Sequence, residues 1–194
     1  MDTLKYYDKN AEMFVAETIA ADMTAQYENF ISRLQKGAQI LDLGCGSGRD
    51  SRAFIDKGYS VVSIDGSKEL CIRAKKITRQ PVLCLRFEEI EFESQFDGVW
   101  ACASILHVEK SNMEDILLRI SKALKPGGFL YVSYKYGNEE RLVNGRFFSD
   151  YNENDIPELF TRTGLSCVNW WVSDDVREDR FDKKWLNIVA QKEL

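Results

Sequence analysis

Only one histidine, His107, occurs in the 194 residues, and the five cysteines, Cys45, Cys71, Cys84, Cys102 and Cys167, include no Cys-x-x-Cys pair. Metal ligands at recognisable spacing are therefore missing, so no metal centre is expected. An odd set of thiols without a signal-peptide pattern fits a reducing, cytoplasmic setting. The chain also lacks an apolar run long enough to span a membrane, a low-complexity tract and an internal repeat. Basic excess is missing too: 26 Lys and Arg against 31 Asp and Glu leave a formal charge of -5, which argues against nucleic acid as the partner. Nothing in these patterns sets an oligomeric state.

What is present is concentrated between Ile40 and Asp50, reading ILDLGCGSGRD. An apolar strand runs into a loop where Gly44, Gly46 and Gly48 permit sharp turns and close approach of a ligand to the backbone. The following run, Ser47 to Lys57, has helical character and would present free N–H groups to a bound molecule. Ser60 to Ile64 reads as a buried parallel strand, and Asp65 ends it. A carboxylate there is placed to accept hydrogen bonds from ribose hydroxyls.

A dinucleotide fingerprint would need glycine at the first, third and sixth positions, but counting from Gly44 the sixth is Arg49. No Gly-Lys-Ser or Gly-Lys-Thr closes a Walker loop either. The pattern resembles the class I S-adenosylmethionine-dependent methyltransferases, particularly the small bacterial type 11 and type 25 groups, from about Gln39 to Val132. The resemblance implies an α/β fold of three layers, Rossmann-like, with a seven-stranded, mostly parallel sheet and an antiparallel C-terminal strand. It implies S-adenosyl-L-methionine as cofactor, held by Gly44, Cys45, Gly46 and Gly48, with Asp65 on the ribose, Gly66 and Ser67 beside the adenine and Asp42 facing the methionine portion. Where the family often has an aspartate for the adenine amino group, this chain has Arg86; Phe87 could replace it by stacking and the Glu88 carboxylate or nearby backbone by hydrogen bonding, the alternative for Arg86 being a surface pair with Glu88 or Glu89.

The fourth strand, Phe96 to Ala103, leads into Ser104-Ile105-Leu106-His107-Val108. This resembles the family segment between cofactor and acceptor, which implies Ala103 on the cofactor, Leu106 beside the acceptor and His107 as the candidate for catalysis. An unperturbed pKa of about 6.5 would suit proton removal at neutral pH. The bland alternative for a lone histidine is a structural hydrogen bond. Farther on, Leu124 to Val132 resembles the family's Pro-Gly-Gly turn before its fifth strand; Pro126 stops a helix there. No Asn-Pro-Pro-Tyr-like segment follows strand four, as amino-methylating nucleic-acid enzymes commonly have.

With 44% apolar residues, a single domain, 1–194, is expected. Residues 1–36 would be a helical N-terminal lid region, with Tyr7 transferable to the methionine end of the cofactor by resemblance. Residues 135–151 would be a substrate-pocket insertion offering Arg146, Phe147 and Tyr151 to the acceptor. Arg141, Arg146, Arg177 and Arg180 are candidates to clamp an acceptor carboxylate or phosphate, or else ordinary arginines paired with nearby acids such as Glu178 and Asp179. Strands are expected around Leu165 to Ser173 and Lys184 to Lys192, where adjacent Trp170 and Trp171 must face opposite sides. The function expected is methyl transfer to a small-molecule nucleophile by direct displacement, producing S-adenosylhomocysteine. The alternatives are a noncatalytic S-adenosylmethionine-binding sensor or partner protein, and an NAD(P)-dependent oxidoreductase.

Overall fold

The computed structural model describes residues 3–177 and 183–194. Arg180, Glu178 and Asp179 lie outside them. After two helices, α1 (Thr3–Thr18) and α2 (Thr24–Ile31), the chain alternates β1 (Gln39–Leu43), α3 (Arg49–Asp56), β2 (Ser60–Asp65), α4 (Lys68–Thr78), β3 (Val82–Cys84), β4 (Phe96–Ala101), α5 (Lys110–Ala123) and β5 (Leu124–Lys135). A hairpin of β6 (Glu140–Val143) and β7 (Arg146–Ser149), α6 (Ile156–Thr161), β8 (Leu165–Asp174) and β9 (Lys184–Lys192) follow.

The seven-stranded sheet has the order β3-β2-β1-β4-β5-β9-β8. Pairing is parallel from β3 to β5, and β9 runs antiparallel to both of its neighbours. The fold is thus α/β and Rossmann-like, with the reversed strand near the C-terminus, as the sequence implied. Alternation along the strands feeds two cores. Leu41, Val99, Leu130 and Ile188 face α5, whereas Ile40, Trp100, Tyr131 and Val189 face Tyr27 and Phe30 of α2 and Phe54 of α3. Trp100 and Tyr131 stack with their centroids 3.9 Å apart. The chain winds outward from β1 to β3, then returns to start β4 beside β1. A crevice opens at the carboxyl ends of β1 and β4, where ligands of doubly wound sheets bind.

Several elements differ locally from the reading of the sequence. The first helix after the glycine loop starts at Arg49 rather than Ser47, because Gly48 holds a left-handed φ of 81°. The fourth strand stops at Ala101, and Ala103 takes φ 50° as the chain turns toward residues 105–107. Residues 135–151 contain a hairpin, β6 and β7, whose turn residues, Asn144 and Gly145, have φ of 50° and 82°, the signs that a two-residue hairpin turn of the mirror-image type requires. The N-terminal region divides in two: α1 lies against the crevice, while α2 belongs to the core. Trp171 packs toward that core and Trp170 is exposed.

Candidate active site

Two chambers open at the crevice, of about 610 and 500 Å³, and meet at a neck formed by Tyr7, Phe14, Gly44, Gly46, Ala103 and His107. Asp65, Gly66, Arg86, Phe87 and Glu88 line the first chamber. Cys45, Arg49, Leu106, Lys135, Arg146 and Trp185 are among the residues around the second.

The glycine loop is flush with its surroundings. Gly44 has φ 77°, and a Cβ on it would fall 2.5 Å from the Cβ of Ser104; one on Gly46 would fall 3.0 Å from the Phe14 ring. Gly48 does something else: a Cβ there would meet the backbone of Ala74 at 3.0 Å, so this glycine lets α3 and α4 close together. Ser104 Oγ is buried beside the first chamber and has no hydrogen-bond partner among the described residues, which leaves it to a ligand.

Asp65 holds the loop from the other side. One carboxylate oxygen accepts the Gly46 N–H at 2.9 Å, the other the Ser67 N–H at 2.8 Å. Each oxygen keeps acceptor capacity for a hydroxyl donor. Burial pushes the Asp65 carboxyl up to about 6 despite these two N–H groups. The chamber therefore fits an adenosine: a carboxylate for the ribose diol, the Phe87 ring for a base, and bare backbone between them. Arg86, at the family's aspartate position, makes no ion pair with Glu88 or Glu89; its backbone N–H donates to Glu89 at 2.7 Å.

Asp42 does not line either chamber. It is buried beneath the loop and accepts from Ser51, which also hydrogen-bonds Ser63 at 2.7 Å. Burial, followed by the nearby charge of Asp50, pushes its carboxyl up to about 8. Asp50 takes hydrogen bonds from Tyr27, Trp100 and Arg49, and the Arg49 guanidinium 2.6 Å away keeps it ionised. Ser67 is buried as the N-cap of α4, accepting from Leu70 N–H at 3.2 Å and donating to Asp8 of α1 at 2.6 Å. Tyr151 also stands away from the chambers, its ring 4.5 Å from that of Tyr134. The remaining residues expected at the site, Tyr7, Gly44, Cys45, Gly46, Asp65, Gly66, Phe87, Glu88, Ala103, Leu106, His107, Arg146 and Phe147, line one chamber or both. Sequence reasoning gave no role to Ser104 or Arg49, and had Phe14 only as part of the aromatic lid segment Leu4 to Phe14. Phe14 belongs to the aromatic N-terminal segment and Arg49 directly follows the glycines; Ser104 carried no signal of its own.

The neck is closed by a hydrogen-bonded pair. His107 Nδ1 lies 2.6 Å from the Phe147 carbonyl, which can only accept, so Nδ1 carries the proton. Nε2 is then an acceptor, and the Tyr7 hydroxyl donates to it at 2.8 Å. Burial lowers the His107 pKa to about 4, and the Arg146 charge lowers it further against the effect of the Phe147 carbonyl. Burial likewise raises Tyr7 to about 12. Leu4 against Gly66, Phe14 against Gly46 and Asp8 on Ser67 complete the contact of α1 with the crevice.

Residues 41–132 match the family model described as a methyltransferase domain. A cypemycin N-terminal methyltransferase of a Streptomyces species is 36% identical over 101 residues, 50% of this chain and 41% of its own. A ubiquinone biosynthesis O-methyltransferase of Rickettsia akari is 25% identical over 73% of this chain and 56% of its own. The chain spans about half the length of the curated relatives it matches. Among solved structures, Burkholderia thailandensis 1,6-didemethyltoxoflavin-N1-methyltransferase, with 1,6-didemethyltoxoflavin and S-adenosylhomocysteine bound, superposes with a TM-score of 0.79 at 22% identity, covering 98% of this chain and 85% of that one.

Proposed function

We propose, from the class I S-adenosylmethionine-dependent methyltransferase fold that this chain carries, that it transfers the cofactor's methyl group to a small-molecule nucleophile. The observation that supports this most is the pair of chambers joined at a neck. One offers an adenosine-type surface at Asp65, and the other offers room of a size suited to a small acceptor. When bound, S-adenosylmethionine supplies an electrophilic methyl group on a sulfonium and leaves as S-adenosylhomocysteine.

The chain's own residues would act by placement. Asp65 takes the ribose hydroxyls, Phe87 covers the base, and Gly44 and Gly46 let the molecule lie against the backbone. Phe14, Tyr7 and Ala103 keep bulk water from the neck, so two reactants are held in line in a dry site. His107 is assigned as a positioning residue rather than a base. Taking a proton from a group of pKa about 9 onto an imidazole near 4 would cost about 7 kcal/mol. Its neutral Nε2 instead fixes the Tyr7 hydroxyl, which couples α1 to the neck. The relatives carry names of N- and O-methyltransferases, so their names leave the acceptor atom of this chain open. The free thiols support a cytoplasmic setting; no helix among the described residues is long and apolar enough to cross a membrane.

The test is formation of S-adenosylhomocysteine by purified protein, with each candidate acceptor gaining one methyl group in mass. Cofactor binding without acceptor-dependent product would favour the sensor reading.

A further inference from the structure

Of the four arginines around the second chamber, Arg146 is the one with no carboxylate beside it among the described residues. Arg49 is held by Asp50 at 2.6 Å, Arg141 by Asp150 at 2.8 Å and Arg177 by Asp175 at 2.7 Å. Arg146 instead lies against two rings, its Cζ 4.7 Å from the centroid of Tyr6 and 5.3 Å from that of Phe148. Its Nε is buried and lacks a hydrogen-bond partner among the described residues. Rings hold a guanidinium and fix its plane, yet they leave its full charge in place. Phe148 also carries Arg141 at 5.4 Å, so two guanidinium groups share one ring while a carboxylate answers only one of them.

The position of this charge matters more than its presence. Arg146 opens β7, lines the second chamber and acts electrostatically on both Tyr7 and His107 at the neck. An anion bound to it would therefore sit next to the point where the two chambers meet. A half-buried guanidinium with a buried, unspent Nε–H gains most from a planar oxyanion that fits its fork.

We infer that the methyl acceptor is a small organic acid, a hydroxy-, amino- or thiol-substituted carboxylate, whose carboxylate binds the Arg146 guanidinium and whose nucleophilic atom faces the neck. This rests on the methyltransferase reading of the cleft. In the transfer, a lone pair of the acceptor heteroatom forms the new bond to the methyl carbon as the carbon–sulfur bond breaks. Sulfur keeps the bonding pair, its positive charge is discharged, and the acceptor's proton passes to water. The carboxylate is a handle and is not consumed.

Matched acids and amides test this: 4-hydroxybenzoate against 4-hydroxybenzamide, and 2-mercaptobenzoate against 2-mercaptobenzamide. Each is titrated into protein saturated with S-adenosylhomocysteine and then offered for turnover with S-adenosylmethionine. At least one acid is expected to bind about tenfold or more tightly than its amide, the range of one charge-assisted contact. Arg146→Gln should abolish that preference and Arg146→Lys should keep part of it. The affinity of Arg146→Gln for S-adenosylhomocysteine, expected within about threefold of the parent since the ribose contact is untouched, reports that the variant is folded. Equal binding of acid and amide, a preference that survives Arg146→Gln, or failure of every acid to bind overturns the inference while leaving the methyltransferase reading intact. Failure of S-adenosylhomocysteine itself to bind removes the ground for both.

Discussion

The Tyr7 hydroxyl donates to Nε2 of His107 at 2.8 Å, joining the first helix to the turn after β4 across 100 positions of sequence. The pair explains why a lone histidine can sit at the neck without being its base. One ring nitrogen is spent on the Phe147 carbonyl and the other on Tyr7. Because the chain has a single histidine, its ring resonances titrate without overlap. They are expected to give a pKa near 4, and Tyr7→Phe, which removes the donor to Nε2, should move it upward. A titration centred at about 6.5 would contradict the assignment. The sign for stability follows. A histidine whose folded pKa lies below its unfolded value favours the fold above pH 6.5, and that contribution is lost as pH falls from 6.5 toward 4.

Turnover supplies a second check on the same pair. Between pH 6 and 8 the rate should show no inflection from His107, since its folded pKa lies well below that window. His107→Asn should loosen the neck and raise the apparent KM for the acceptor more than it lowers kcat. Loss of kcat by about 100-fold or more with a pH profile that loses an inflection near 6.5 would restore the role of general base.

Asp65 ties cofactor affinity to pH. Its carboxyl is held near 6 in the free protein by burial, and only the ionised form can accept two hydroxyl donors without cost. Affinity for S-adenosylhomocysteine should therefore weaken as pH falls through about 6. Asp65→Asn should bind about 10- to 100-fold more weakly, by loss of charge-assisted hydrogen bonds, and with a flat pH profile. An Asp65→Asn protein that binds like the parent would remove the ribose assignment.

Glycine positions separate stability from geometry. Gly44→Ala places a methyl 2.5 Å from Ser104 Cβ at φ 77° and should destabilise the fold by about 2–4 kcal/mol. Gly58→Ala meets nothing within 4 Å at φ 87° and bears the conformational strain alone, about 1–2 kcal/mol. Chemical denaturation of the two variants reads the difference; equal losses would mean that the loop is not packed as described.

Asp42 makes a prediction of opposite sign from His107. Its folded carboxyl is raised from 3.8 to about 8 by burial and by Asp50. The protein therefore loses this group's contribution as pH rises from about 4 to about 8. Asp42→Asn, which keeps an acceptor for Ser51, should flatten that part of the stability profile. An unchanged profile would show that Asp42 is ionised in the fold.

Much of this was legible in the chain because it is written in local patterns. The strand before Gly44, the valine and isoleucine run to Asp65 and the Pro126 turn each state an element and its end. Partnerships across the sheet were not legible. Asp42, expected by resemblance to face the methionine portion of the cofactor, stands opposite Ser63 in register and accepts from Ser51 beneath the glycine loop, contacts that no local pattern announced. Tyr151 shared an aromatic segment with Phe147, yet pairing of Tyr136 with Tyr151 brings it against Tyr134. The hairpin inside 135–151 was missed: Asn144-Gly145 is a turn signal, but the four-residue strands beside it are too short and too exposed to show a hydrophobic period. Arg146 could not be told from the other arginines until their carboxylate partners were placed.

Calorimetric titration of the purified protein with S-adenosylmethionine, S-adenosylhomocysteine and NADH, after removal of retained cofactor, tests the central claim most directly. The account predicts saturable binding of the first two and none of NADH. Binding of NADH alone, or of none of the three, would contradict it.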